Sequence, residues 1–120
     1  MLTCGIDIIE VARVQKAMAN PKFSVKCFSV EERLMFEKKS CSAQTVAANF
    51  AAKEAFAKAL GTGVRGFALD EISVLRDEQG APYFVFTGKA KNIVEKSKLK
   101  FTLSLSHIKE TACAMVIAYS

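Results

Sequence analysis

From Leu2 to Glu10 the side chains follow a period of two, with Leu2, Cys4, Ile6 and Ile8 on one face and Thr3, Gly5, Asp7 and Ile9 on the other, which predicts a strand. Asp7 stands inside an otherwise apolar segment. The rhythm then becomes helical through Val11, Val14 and Met18 as far as Ala19, and Asn20-Pro21 stops it. Ser29-Val30-Glu31-Glu32 has the form of a capping box, with Ser29 capping and Glu32 reaching back, and it opens a short helix through Phe36. Ser42 begins a longer helix, Val46 to Leu60, which Gly61 ends as a left-handed cap.

After the glycine-rich turn Gly61 to Gly66, Leu69 to Arg76 and Pro82 to Phe86 flank Asp77-Glu78-Gln79-Gly80, a hairpin signature. Thr87 to Ser97 predicts a surface helix. Leu99 to Ser106 sets Phe101, Leu103 and Leu105 against Thr102, Ser104 and Ser106, and Ala112 to Ala118 reads as a more apolar strand of the same sheet. A strand, a block of helices and then antiparallel strands make the fold class α+β, a mostly antiparallel sheet packed against a long helix. Without a linker or an internal repeat, residues 1–120 are expected to form a single domain.

Composition narrows the function classes. With 51% hydrophobic and 24% charged residues, neither disorder nor a fibrous repeat is indicated. The longest apolar run, Ala112 to Tyr119, is far below the roughly 20 residues of a membrane-spanning helix, and no basic segment precedes an apolar block at the N-terminus. A cytoplasmic chain with no membrane partner is expected. Cys4, Cys27, Cys41 and Cys113 contain no close pair and only one histidine could join them, so reduced, mostly buried thiols are expected rather than a zinc or redox site. The net charge of +5 suggests an anionic partner: a phosphorylated ligand, an acidic protein or nucleic acid. The aromatic residues do not interleave with basic ones as in an RNA-binding sheet, which disfavours nucleic acid.

The chemistry-bearing candidates concentrate in the long helix. Helical spacing puts Ala47, Phe50, Ala51, Glu54, Ala57 and Lys58 on or near one stripe, so Glu54 projects from a largely apolar strip. Its plain reading is a surface pair with Lys58. Asp7 changes the weighing, because a second carboxylate in apolar surroundings needs a cation. Arg13 or a lysine would serve; so would a hard divalent ion shared with Glu54, and magnesium takes one or two protein carboxylates while leaving room for phosphate oxygens. On that reading Asp7 and Glu54 hold metal while Lys53 and Lys58 face phosphate. Gly61-Thr62-Gly63, followed by Arg65 and Gly66, could bring backbone amides to a phosphate, or could be only a helix cap and turn. His107 follows a hydroxyl-bearing strand face, and no nucleophile-elbow pattern surrounds any serine.

Three segments, "GIDIIEVARV" (Gly5 to Val14), "FAAKEAFAKALGTG" (Phe50 to Gly63) and "LSLSHIKETACAMVI" (Leu103 to Ile117), together resemble the holo-[acyl-carrier-protein] synthases, the small bacterial type of 4'-phosphopantetheinyl transferase. "LDEISVLRDEQGAPYF" (Leu69 to Phe84) resembles the family's hairpin. The resemblance implies transfer of 4'-phosphopantetheine from coenzyme A to a serine of apo-acyl carrier protein, in fatty acid biosynthesis, with Mg²⁺ and a homotrimer whose active sites lie between subunits. It implies Asp7 and Glu54 as metal ligands and Lys58 as the residue assisting phosphoryl transfer. It also implies Lys53, Gly61, Thr62, Gly63, Ser106 and His107 as coenzyme A contacts, and Arg13 as a contact to the acidic carrier protein. Family members often carry arginine, associated with a coenzyme A phosphate, where this chain has Asn49, so recognition of the 3'-phosphate is expected to pass to Lys53, His107 or a neighbouring subunit. A coenzyme A sensor and a small basic nucleic-acid-binding domain are the competing readings.

Overall fold

A computed structural model describes residues 1–38 and 42–120. Strand β1 (Leu2–Glu10) leads into helices α1 (Val11–Met18), α2 (Pro21–Cys27), α3 (Val30–Lys38) and α4 (Ala43–Leu60). The hairpin β2 (Ile72–Arg76) and β3 (Pro82–Phe86), helix α5 (Gly88–Ser97), and strands β4 (Lys100–His107) and β5 (Thr111–Tyr119) complete the chain. Among the described residues, no helix is long and apolar enough to cross a membrane.

The strands form two antiparallel sheets, β1-β5-β4 and β2-β3, rather than the single sheet the alternation suggested. The sheets meet through side chains: Phe84 and Phe86 of β3 and Phe101 of β4 surround Phe56 of α4, with ring centroids 4.9–5.6 Å from it. A second buried cluster joins Val11, Val14, Phe28, Phe36, Val46 and Ala47 under the short helices. Helix α4 lies between these clusters and is lined by alanine on most sides, as a helix buried nearly all round must be.

Two boundaries differ from the expectation. Pro21 ends α1 but also opens α2 at its first turn, where Asn20 accepts a hydrogen bond from the Lys22 amide, since the proline's missing N–H costs nothing at that position. Leu69–Glu71 forms a 3₁₀ turn before the hairpin. Its shape is held by the Glu71 carboxylate, which accepts from the Ala68 amide at 2.8 Å and from the Lys89 amide of α5 at 2.8 Å.

Register decides which side of β1 is buried. Asp7 opposes Ala114, which opposes Leu105, and Gly5 opposes Val116, which opposes Leu103, so these residues share the face that packs on α4. The more apolar set points outward: Leu2, Ile6 and Ile8 are 73%, 62% and 71% exposed, beside exposed Met115 and Tyr119. Cys4 lies on that outer face and is exposed, contrary to the expectation of buried thiols; Cys27 is buried, Cys113 is partly buried, and Cys41 lies outside the described residues.

β1 reaches α4 only because residue 5 has no side chain. A Cβ on Gly5 would stand 2.1 Å from the Ala55 carbonyl oxygen and 2.6 Å from the Ala59 nitrogen, both backbone atoms. Thr3 reinforces the contact by donating to the Ala59 carbonyl at 2.7 Å. Gly5→Ala is therefore expected to destabilise the fold by about 3 kcal/mol, at the upper end for overpacking, because the obstacle is helix backbone rather than a yielding side chain. Urea unfolding checks this; an unchanged midpoint would contradict the close approach.

Candidate active site at the β1–α4 contact

Local signals set the frame of α4. Ser42 caps its N-terminus through the Thr45 amide, and Gly61, with φ of 88°, closes its C-terminus by donating to the Ala57 and Lys58 carbonyls. Because Gly5 lies against Ala55, Lys58 and Ala59, the strand's next inward residue, Asp7, is delivered beside the helix face that carries Glu54 and Lys58. The Lys58 ammonium donates to the Ile6 carbonyl at 2.8 Å and to Asp7 Oδ1 at 3.4 Å, so its ion pair is with the strand and not with Glu54.

Asp7 and Glu54 also sense each other. Burial, followed by the negative charge of Asp7, pushes the Glu54 carboxyl above its ordinary 4.5, against an opposing pull from Lys58. Lys58 offsets part of this repulsion, and a divalent cation would neutralise the two carboxylates more fully. The donor set is two hard oxygens groups on separate elements, and no cluster of three or more metal-binding side chains exists among the described residues. Such a pair fits magnesium, which needs few protein ligands and keeps sites for water or phosphate oxygens.

Lys53 is elsewhere. Its side chain is fully buried, with the ammonium donating to Glu32 Oε1 at 2.5 Å, the Cys27 carbonyl at 2.6 Å and the Leu69 carbonyl at 3.0 Å. All three donors are used inside the protein, so Lys53 does not face phosphate oxygens as the sequence reading expected. Asn49 is buried in the same network, donating to Glu32 Oε2 at 2.9 Å and accepting from Arg76 at 2.7 Å. The capping box was legible in the sequence, and it forms, with Ser29 and Glu32 exchanging hydrogen bonds. That Glu32 also receives Lys53 was not legible; the alanines surrounding Lys53 were the one hint of burial.

The remaining candidates are dispersed. Gly61, Thr62 and Gly63 are exposed and begin one turn beyond Lys58. Ser106 points to the outer face of the sheet, opposite the side that packs on α4. His107 lies on the inner side but is exposed and pairs with Ala112, two strands from β1. Gln44, at the start of α4, donates to the Lys109 carbonyl at 3.2 Å, so His107 lies near the opposite end of the helix from Lys58. Arg13 is exposed on α1, with Lys16 beside it and Lys22 on α2.

The sequence matches the family model described as the 4'-phosphopantetheinyl transferase superfamily over residues 3–116. The chain belongs to this superfamily. Among the transferases it is similar to holo-[acyl-carrier-protein] synthase of Treponema denticola, 42% identical over 119 residues that cover 98% of this chain and 97% of that protein. That of Alkaliphilus oremlandii is 40% identical over 116 residues, covering 95% of each. The fold is similar to the crystal structure of holo-[acyl-carrier-protein] synthase from Neisseria meningitidis, with TM-score 0.91 and 31% identity over 98% of both chains. It is also similar to the Helicobacter pylori synthase solved in complex with coenzyme A, with TM-score 0.82 and 27% identity over 96% of this chain and 98% of that one.

The raised Glu54 carboxyl has a consequence for this transferase's stability. A carboxyl that holds its proton more tightly folded than unfolded contributes stability below the ordinary glutamate pKa, and that contribution is lost as pH rises through the raised native value. Glu54→Gln, neutral throughout, is expected to raise the melting temperature of the metal-free protein at neutral pH and to give little gain near about pH 4. Thermal scans in chelator at both pH values measure it, and equal shifts at the two would contradict the assigned environment.

Proposed function

We infer that this chain transfers the 4'-phosphopantetheine group from coenzyme A to a serine of apo-acyl carrier protein, releasing adenosine 3',5'-bisphosphate, and we propose that Asp7, Glu54 and Lys58 carry the reaction. The single observation behind the site assignment is the convergence of these three side chains from β1 and α4. Superfamily membership and the likeness to holo-[acyl-carrier-protein] synthases support the substrate pair.

Asp7 and Glu54 would hold magnesium, and the ion would supply charge neutralisation at the coenzyme A pyrophosphate. The protein's own contribution is placement. Asp7 is fixed by the β1–β5 ladder and Glu54 by the buried helix, so neither carboxylate has to be gathered at the moment of reaction. Lys58, anchored on the Ile6 carbonyl and 57% exposed, is positioned to donate a hydrogen bond or a proton to the leaving bisphosphate oxygen as the carrier-protein serine attacks phosphorus. The Gly61 amide is spent on the helix cap, but the backbone amides of Thr62 and Gly63 follow it, where a second phosphate oxygen can be met. With Lys53 and Asn49 buried, the 3'-phosphate falls to His107 or to a neighbouring subunit.

The exposed apolar outer face of β1 and β5, with Leu2, Ile6, Ile8, Met115 and Tyr119, supports self-association, and the family resemblance makes that assembly a homotrimer. In that assembly Ser106 and His107 serve a site shared with the next subunit, which accounts for their separation from Asp7 within one chain. Arg13, with Lys16 and Lys22, offers the acidic carrier protein a positive approach. The placement in fatty acid biosynthesis and in the cytoplasm follows from the same reading.

Incubation with coenzyme A, magnesium and an apo-acyl carrier protein tests the function by mass spectrometry. The carrier protein is expected to gain the phosphopantetheine mass, the gain is lost in chelator, and Glu54→Ala lowers the rate by about 10³-fold with the fold intact. Binding of coenzyme A without any mass gain would identify a sensor instead, and steep salt-dependent binding of a nucleic acid would revive the third reading.

A further inference from the structure

Lys53 and Glu54 are adjacent in sequence but about 100° apart around the helix axis, so one can enter the core while the other faces the site. The network around Lys53 is complete and shared between elements. Its ammonium ties α4 to the end of α2, to α3 and to the turn before β2. The Glu32 carboxylate accepts, besides Lys53, the Ser29 amide at 3.0 Å, Asn49 Nδ2 at 2.9 Å and the Val74 amide of β2 at 3.3 Å. Across the axis, α4 rests on Gly5 with no clearance.

We propose that the Glu32–Lys53 pair is a positioning device for the transfer reaction: it fixes the rotation of α4 against β1 and so holds Glu54 opposite Asp7. The proposal rests on Asp7, Glu54 and Lys58 being the transfer site. A buried ion pair is a poor means of adding stability, because well-packed apolar residues often do as well. What it adds is direction, since charged hydrogen bonds are satisfied only at one helix orientation. A rotation of about 10° moves a carboxylate roughly 6 Å from the axis by about 1 Å, a displacement large enough to cost on the order of 10²-fold in rate.

The test is the full chain carrying Glu32→Gln together with Lys53→Met, which removes both charges at nearly constant volume. For the folded double variant, kcat is expected to fall about ten- to a hundredfold with KM for coenzyme A within about twofold of the parent. The dissociation constant for Mn²⁺ alone, read by electron paramagnetic resonance without substrate, is expected to rise at least about fivefold, because one ligand is displaced. Unchanged kcat and Mn²⁺ binding would make the pair merely structural and overturn the proposal. A raised KM with unchanged kcat would also overturn it, by assigning Lys53 to substrate contact. If the double variant does not fold, Glu32→Asp, which keeps both charges but shortens the tie by one methylene, is read by the same criteria. Glu54→Ala runs in parallel: retained turnover there overturns the site reading itself, whereas an inactive Glu54→Ala beside an unimpaired double variant overturns the positioning role alone.

Discussion

The contact on which the rest of the molecule depends is the one between the backbone of β1 and the backbone of α4 at Gly5. With no Cβ on the strand and alanines at Ala55 and Ala59 on the helix, the two elements approach more closely than a side chain would allow. The site follows from that closeness. Ile6 and Asp7 come next along the strand, Lys58 stands between Ala57 and Ala59 on the helix, and the lysine bridges the two by its contacts to the Ile6 carbonyl and Asp7. A polar cluster is thus built at the edge of a backbone-to-backbone contact that leaves no room for a Cβ, and it inherits the rigidity of that contact.

Rigidity comes at a cost borne by the same residues. Glu54 is partly desolvated and faces a like charge, and Lys53 is taken wholly out of water. Burial drives the Glu32 and Lys53 ionisations towards neutrality, while each partner's charge opposes that shift. The two solutions differ: Lys53 is satisfied by fixed protein groups, whereas Glu54 is left to be completed from outside. Adjacent charges in one motif therefore face different surroundings, Lys53 the interior and Glu54 the β1 side.

Much of this was legible from the sequence, and the misses share a cause. The alternation of β1 and β4, the capping box at Ser29, and the Ser42 and Gly61 caps are local signals, read within a few residues, and each forms as expected. Glu54 on an apolar stripe and Asp7 in an apolar strand marked two carboxylates in need of cations, and of the partners left open for Asp7 the fold supplies a lysine, Lys58. The burial of Lys53 is not legible locally, because its partner is 21 residues away and Glu32 already has a local role in the capping box. Likewise, nothing local says that β1 turns its more apolar face outward. That choice is made by α4, which accepts only the face carrying Gly5.

Asp7, Glu54 and Lys58 are proposed to form a single cation and diphosphate site at the β1–α4 contact. A crystal structure of the protein with coenzyme A and Mg²⁺ tests it most directly. The predicted result is one ion bound by oxygens of both carboxylates and of the pyrophosphate, with Lys58 on a phosphate oxygen and Lys53 still on Glu32. An ion and pyrophosphate seated elsewhere, with the Asp7 and Glu54 carboxylates turned apart, would contradict it.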